Sequence, residues 1–285
     1  MAELLLGKPV ADTINGDLIT RVNGLKQEGI IPTLAVLRVG EKESDLSYER
    51  GAKKRCEQIG VEYKSVVLPE NISEEVFFEV LESLNNDDEV HGILMLRPLP
   101  KTIDEEKARR MLKPEKDVDG CTDGSLAGVF ANSGIGFAPC TAQAAMEILD
   151  FYNIVLTGKN VAVIGRSLVI GRPVAMMLMH KQATPTICHT RTANVAAIAK
   201  RADIVIAATG KMETMNADYF KAGQTVIDVG INWNEEKQKL CGDVVFEEAE
   251  PIVAAITPVP GGVGAVTTSV LVSHVVEAAE KTRKQ

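Results

Sequence analysis

Short apolar runs alternate with amphipathic stretches along most of the chain, the pattern of parallel strands joined by crossover helices and so of an α/β fold. Thr33 to Val39 predicts a buried strand and Glu43 to Ile59 a helix. Val61 to Leu68 predicts a strand, and Ser73 to Leu84 a helix capped by Ser73 with Glu74 and Glu75 in its first turn. Val90 to Leu96 predicts a third strand, which Pro98-Leu99-Pro100 must end, and Asp104 to Leu112 a short helix. The stretch from Gly124 to Pro139 is rich in Gly, Ala and Ser with weak periodicity, and reads as the approach to a linker. Ala142 to Tyr152 then predicts a connecting helix. Beyond it come a strand at Asn160 to Ile164, a glycine turn and a helix at Gly171 to His180. Further strands follow at Thr184 to Cys188, Ile204 to Ala208 and Thr225 to Val229. The last apolar segment, Val266 to Ala279, predicts a helix after a rigid Pro/Gly loop.

Composition narrows the class. The 285 residues suffice for one large or two ordinary α/β domains, and 45% hydrophobic with 25% charged residues is the balance of a soluble protein. A net charge of −8 argues against nucleic acid or an anionic membrane as partner. No apolar run approaches a membrane span, and the amino terminus lacks the pattern of a signal peptide. The five cysteines are scattered without a C-x-x-C pair, so reduced thiols in the cytoplasm are the expectation. No metal site is expected: none of the four histidines sits in an H-x-x-x-H arrangement.

Val161 to Ile164 runs straight into Gly165-Arg166-Ser167, and Gly171-Arg172-Pro173 opens the next helix. Such a turn lets the backbone approach a pyrophosphate, while the helix terminus supplies N–H groups and positive dipole. The spacing departs from G-x-G-x-x-G, and a plain tight turn between strand and helix is the bland alternative. The following strand ends at Cys188-His189-Thr190-Arg191-Thr192, where a ribose-reading residue is expected. With Thr190 and Arg191 there rather than an acid, and Arg166 nearby, NADP is favoured over NAD; a solvated Arg191 is the alternative.

Several segments converge on one family. Pro114-Glu-Lys-Asp-Val-Asp119-Gly120, Phe137-Ala-Pro-Cys-Thr141, Val226-Ile-Asp-Val-Gly-Ile-Asn232 and Thr257-Pro-Val-Pro-Gly-Gly-Val-Gly264 are in its order, with Val90-His-Gly-Ile-Leu94 and the glycine turn. Together they closely resemble the methylenetetrahydrofolate dehydrogenase/cyclohydrolase family over nearly the whole chain. The resemblance implies a folate domain (residues 1–140 with 266–285) and a Rossmann-like NADP domain (141–265), the last helix returning to the first. It implies a folate substrate met by the nicotinamide in a cleft, and a homodimer. Tyr48 and Asp119 would be the catalytic pair that holds the folate, with Leu96, Pro98, Pro258, Gly261 and Gly262 also at the substrate. Gly165, Arg166, Ser167, Gly171, Thr190, Arg191 and Ile231 would contact the dinucleotide. Physically, a carboxylate in a loop can pair with the N–H edge of a flat heterocycle, and a tyrosine can stack and hydrogen-bond together. A turn or capping role for Asp119, and simple packing for Tyr48, are the alternatives.

The chain departs from the family where the second activity is concerned. Members with both activities usually carry Tyr-x-x-x-Lys on this helix; here the position is Ala52, and Lys53 and Lys54 are turned away around the helix by roughly 100° and 200°. The usual Val-Gln-Leu-Pro reads Met95-Leu96-Arg97-Pro98, so the glutamine is Leu96, and Arg97 is either a new cation or a solvated one. Hydride transfer can rest largely on positioning, whereas hydrolysis of the methenyl cation needs proton transfer. The expectation is therefore a dehydrogenase with weak or absent cyclohydrolase activity. The alternatives are a bifunctional enzyme in which Lys53, Lys54 or Arg97 replaces the lysine, an inactive folate- or nucleotide-binding regulator, and an unrelated Rossmann dehydrogenase. The basic cluster Arg50, Lys53, Lys54 and Arg55 either attracts the folate's glutamate tail or is a solvated helix face.

Overall fold

The computed structural model describes residues 1–236 and 238–283. In chain order its elements begin with β1 (Glu3–Leu4), α1 (Gly7–Gln27), β2 (Thr33–Val39), α2 (Glu43–Ile59), β3 (Glu62–Leu68), α3 (Glu74–Asn86) and β4 (Gly92–Met95). There follow α4 (Glu105–Met111), α5 (Asp123–Ala131), α6 (Cys140–Phe151), β5 (Asn160–Ile164), α7 (Gly171–His180) and β6 (Thr184–Cys188). The remainder is α8 (Val195–Arg201), β7 (Ile204–Ala207), β8 (Thr225–Asp228), β9 (Asn232–Asn234), β10 (Lys239–Cys241), α9 (Phe246–Ala249), β11 (Ala255–Ile256) and α10 (Thr267–Lys281). No helix among the described residues is long and apolar enough to cross a membrane.

The chain divides into two compact units, one of Met1–Asp12 with Thr141–Thr267, the other of Thr13–Cys140 with Thr268 onward. In the second, β3, β2 and β4 form a parallel three-stranded sheet, β2 in the centre. Leu34 to Leu37 are wholly buried, as a central strand covered on both faces requires. Phe77, Leu81 and Leu84 of α3 pack with Leu37, Ile93 and Met95 into the core of this unit. The Ser73 hydroxyl caps α3 by accepting from Val76 N–H. In α2 the buried stripe is Asp45, Ala52, Cys56 and Ile59, and Gly60 at φ 88° closes the helix by donating to Cys56 O.

The other unit holds a six-stranded parallel sheet in the order β1-β11-β8-β7-β5-β6. The expected division gave residues 1–140 to a single domain, but Met1–Asp12 belong with this sheet. The reason is local: β1 pairs with β11, Glu3 opposite Ala255, and Gly7 N–H donates to Gly261 O.

Three further features lie outside the hydrophobic pattern. The 21-residue α1 buries Ala11, Leu18, Val22 and Leu25, a helical stripe diluted by Gly16 and Gly24. Helix α5 occupies the first part of the weakly periodic stretch from Gly124 to Pro139, ahead of the expected linker near its end. It starts on a Thr122 cap and buries only Ser125 and Gly128, so small residues leave no periodic signal. A Cβ on Gly128 would come within 1.9 Å of Ile135 O, which shows how closely the chain folds back over that helix. The hairpin of β9 and β10 has three residues per strand, too short for alternation to register.

Two buried aspartates lock the loops beyond β7 and β8. Asp228 accepts from the N–H groups of Gly230 (2.9 Å), Asp243 (3.1 Å) and Val244 (2.9 Å), while Asp243 accepts from Thr209 N–H (2.6 Å) and Gly210 N–H (3.0 Å). A Cβ on Gly242 would stand 1.9 Å from Asp228 Oδ2, and one on Gly230 would stand 2.3 Å from Asp243 Oδ1. Gly242→Ala is therefore expected to lower the unfolding free energy by about 3 kcal/mol, the upper part of the overpacking range. Gly16→Ala, in α1 with nothing within 4 Å of the new Cβ, is expected to raise it by about 0.5–1 kcal/mol. Urea denaturation of the two variants beside the parent checks both signs.

Candidate active site

Asp119 lies on the loop between the 3-10 turn Pro114–Lys116 and α5. This loop is tied from within by Asp117, wholly buried, whose carboxylate accepts from Cys121 N–H (3.0 Å) and Thr122 N–H (2.7 Å). Gly120 takes φ 68°, and a Cβ there would lie 2.4 Å from Pro139 N, so the Asp-Gly step of the motif is a steric requirement. The Val118 carbonyl anchors the loop from the other side. It lies 2.8 Å from His274 Nδ1 and 3.2 Å from Cys140 Sγ, and as an acceptor it takes both donors. The His274 ring is fully packed, stacked on Phe137 at 4.9 Å, and burial lowers its pKa, so it is neutral here.

Around Asp119 the structure gathers Tyr48 of α2, Arg97 beyond β4 and Cys140 at the start of α6. Burial pushes the Asp119 carboxyl up to about 6; Arg97 opposes the shift, and Asp117 adds to it. Burial also pushes the Tyr48 phenol well above its ordinary range, helped by the nearby Asp119 and Cys140. Arg97 Nη2 stands 3.6 Å from Asp119 Oδ2 and Nη1 stands 3.8 Å from Glu105 Oε1, while Nε is buried with no hydrogen-bond partner. Leu96 is buried and Pro98 exposed beside it, with Lys42 Nζ donating to Pro98 O (2.8 Å).

Ala52 is fully buried in α2. Of the neighbouring cations, Lys53 Nζ lies over the Tyr63 ring, 5.9 Å from its centroid, and Arg50 pairs with Glu43 at 2.8 Å. Arg97 is the one of the three candidate replacements, with Lys53 and Lys54, that has an ion pair to Asp119. A cavity of about 490 Å³ in the same unit is lined by Ile31, Lys64, Glu89 and His91 and contains none of the expected site residues.

In the other unit, Gly165 follows β5 with φ 138°, and a Cβ there would stand 2.1 Å from Ala208 O. A Cβ on Gly171 would stand 2.2 Å from Gly165 O, so both glycines are needed for strand and helix to meet this closely. Ser167 Oγ accepts from Ile170 N–H (3.1 Å), shaping the entry to α7, and the Arg166 and Ser167 side chains are exposed. The loop after β6 exposes Thr190 and Arg191 and is held by His189 N–H donating to Thr192 Oγ1 (2.9 Å). This is a cradle that side chains would fill, followed by a basic loop, and it fits a dinucleotide carrying an extra phosphate.

Ile231, 60% exposed, lines a cavity of about 310 Å³ together with Asp228, Leu240 and the loop from Pro258 to Ala265. Pro258, Gly261 and Gly262 thus join Ile231 within the nucleotide unit, whereas Tyr48, Leu96, Pro98 and Asp119 belong to the other. The sequence reading passed over Asp117, Cys140, His274 and the Asp228–Asp243 pair as site supports. Asp117 had a visible signal, standing two residues before Asp119 in the same motif; His274 had none, being 156 residues from the carbonyl it holds.

Comparison with known proteins identifies the family. Residues 5–119 match the catalytic-domain model of the tetrahydrofolate dehydrogenase/cyclohydrolase family, and residues 139–283 match its NAD(P)-binding-domain model. The bifunctional protein FolD of Carboxydothermus hydrogenoformans is 51% identical over 281 residues, covering 98% of each chain. The crystal structure of a bifunctional FolD, methylenetetrahydrofolate dehydrogenase/cyclohydrolase, from Campylobacter jejuni superposes with a TM-score of 0.96 at 36% identity, over 99% of this chain and 100% of that one. That of Trypanosoma brucei methylenetetrahydrofolate dehydrogenase-cyclohydrolase, complexed with NADP cofactor and an inhibitor, superposes at 0.93 with 33% identity, over 100% and 99%. The tied Asp119 loop and the glycine cradle are therefore those of a member of the tetrahydrofolate dehydrogenase/cyclohydrolase family, to which this chain belongs.

Proposed function

We propose that the chain oxidises 5,10-methylenetetrahydrofolate to 5,10-methenyltetrahydrofolate with NADP as the hydride acceptor. The observation that carries the reading is Asp119, a carboxylate three-quarters withdrawn from water on a loop fixed by Asp117, Val118 and Gly120 and facing Tyr48 and Arg97. In this reading Asp119 accepts from the N–H edge of the folate heterocycle, Tyr48 lies against its ring, and Leu96 and Pro98 form an apolar shoulder. Gly165, Arg166, Ser167 and Gly171 hold the pyrophosphate, while Thr190 and Arg191 read the 2′-phosphate. Ile231 with Pro258, Gly261 and Gly262 borders the nicotinamide end. The unit of Thr13–Cys140 with Thr268 onward is the folate domain and the other the nucleotide domain. The protein's work in hydride transfer is to orient two planar reactants and exclude water, a contribution that positioning supplies.

For the second step, hydrolysis of the methenyl product, the relatives are named bifunctional, which favours a chain that carries out both reactions over the expected loss of cyclohydrolase. Arg97 is the cation that such a site retains, close to Asp119, in place of a lysine on α2. A second reading, hydrolysis weak or absent, rests on the buried Ala52 and Leu96, neither of which can hold or pass a proton. Methylenetetrahydrofolate and NADP in one cuvette, followed for NADPH and the methenyl chromophore, separate the two. The expected outcome is NADPH with methenyl consumed faster than in an enzyme-free control. Methenyl that accumulates at the control rate of decay supports the second reading, and no NADPH at all overturns the dehydrogenase.

Cofactor choice has its own test. Arg191→Ala is expected to raise the KM for NADP about tenfold, the lower part of the range for a hydrogen bond to a charged group, and to leave that for NAD unchanged. Equal effects on both would remove Arg191 from the phosphate. The homodimer implied by the family resemblance is carried into this reading, and light scattering is expected to give twice the mass of the chain.

A further inference from the structure

Arg97 is an uneconomical residue for a fold. Its guanidinium is mostly withdrawn from water, Nε has no partner, and its two carboxylates stand at 3.6 and 3.8 Å, beyond hydrogen-bond length. A guanidinium three-quarters withdrawn from water with no hydrogen bond to either carboxylate contributes chiefly its charge, so what it does to the charge beside it is the question to ask. Its placement instead points at the acid it faces. Burial and the neighbouring Asp117 both work to neutralise Asp119, and Arg97 is the group that opposes them.

We propose that Arg97 is a positioning residue for folate, its guanidinium shared between Glu105 and Asp119 so that Asp119 remains an anion able to accept from the N–H edge of the heterocycle. The proposal rests on the folate reading of Asp119 above. Glu105 competes for the same cation while its other oxygen accepts from Leu99 N–H (2.9 Å), so it steadies the loop that carries Arg97. The remaining groups around Asp119 are Tyr48 from α2, Asp117 and Cys121 on its own loop, Cys140 from α6 and, behind Val118, His274 from α10. Tyr48, Cys121 and Cys140 are pushed upward and His274 downward, so these four stay neutral near neutral pH; Asp117 is the neighbouring carboxyl group whose effect Arg97 opposes, and Glu105 shares the cation.

The sign follows. A ligand that needs the Asp119 anion loses affinity as pH falls through the pKa of about 6, and removing the cation moves that fall to higher pH. The test is the dissociation constant of 5-formyltetrahydrofolate, a stable folate, for the whole NADP-saturated enzyme, titrated by calorimetry on both sides of this midpoint. Arg97→Gln is expected to raise the midpoint by about one pH unit, the smaller end of the effect of an adjacent arginine on an aspartate. Arg97→Lys, which keeps the charge, is expected to restore most of the shift. Glu105→Gln is expected to move the midpoint the opposite way, since it removes a competing anion and leaves Arg97 to Asp119. An unmoved midpoint in Arg97→Gln, or a shift in Arg97→Lys as large as in Arg97→Gln, overturns the proposal. So does an upward shift in Glu105→Gln, a variant that retains an acceptor for Leu99 if the arginine variants do not fold. Asp119→Asn separates the two levels: undiminished folate affinity in it removes the folate reading itself, whereas lost affinity beside an unmoved Arg97→Gln midpoint removes only the role of Arg97.

Discussion

Backbone N–H groups that leave a sheet and turn inside a protein must find acceptors, and in both units a buried aspartate provides them. Asp117 takes two N–H groups of the loop that carries Asp119, and Asp228 takes three beyond β8. An unmet buried N–H costs about 1–3 kcal/mol, so each carboxylate decides whether its loop has one conformation or many. The cost is borne as a buried charge: burial pushes Asp228 up to about 7 against the pull of its three N–H donors. Asp119 is different in kind. It sits on a loop whose N–H groups Asp117 already satisfies, so its own carboxylate is left for chemistry.

This division of labour separates fixed parts of the site from adjustable ones. Val118, Gly120, Cys140 and His274 hold the backbone, and nothing in their roles depends on which reaction follows. Arg97, by contrast, meets the Asp119 carboxylate itself, through an ion pair at 3.6 Å. Charge at such a position can change while the backbone that carries Asp119 stays fixed by its own hydrogen bonds.

Legibility in the sequence followed the range of the forces involved. Strands β2, β5 and β6 and helices α2 and α7 have the bounds that their apolar patterns predict, since burial on a regular element repeats locally. Helix α5 gave no such signal because Ser125 and Gly128 are what it buries, and α1 blurred its stripe with glycine. At the site, Asp119 and Gly165 were readable because motif and glycine chemistry are contiguous. The support from His274 was not, as it crosses 156 residues to reach Val118, nor was the pairing of Arg97 with Glu105, which only the packing of α4 beside the loop creates. The expectation of lost hydrolysis came from weighing two absent side chains without knowing where Arg97 lies.

The interlock beyond β8 bears on how such a chain can drift. Gly242 leaves the space that Asp228 occupies, and Gly230 leaves the space that Asp243 occupies, so each residue defines what its counterpart is permitted to be. A side chain gained at either glycine meets a carboxylate, and a carboxylate lost at either aspartate strands the N–H groups it had satisfied. Every single-step path away from this arrangement begins downhill in stability, and only paired changes avoid it. Among descendants of this chain the four positions should therefore vary together or not at all.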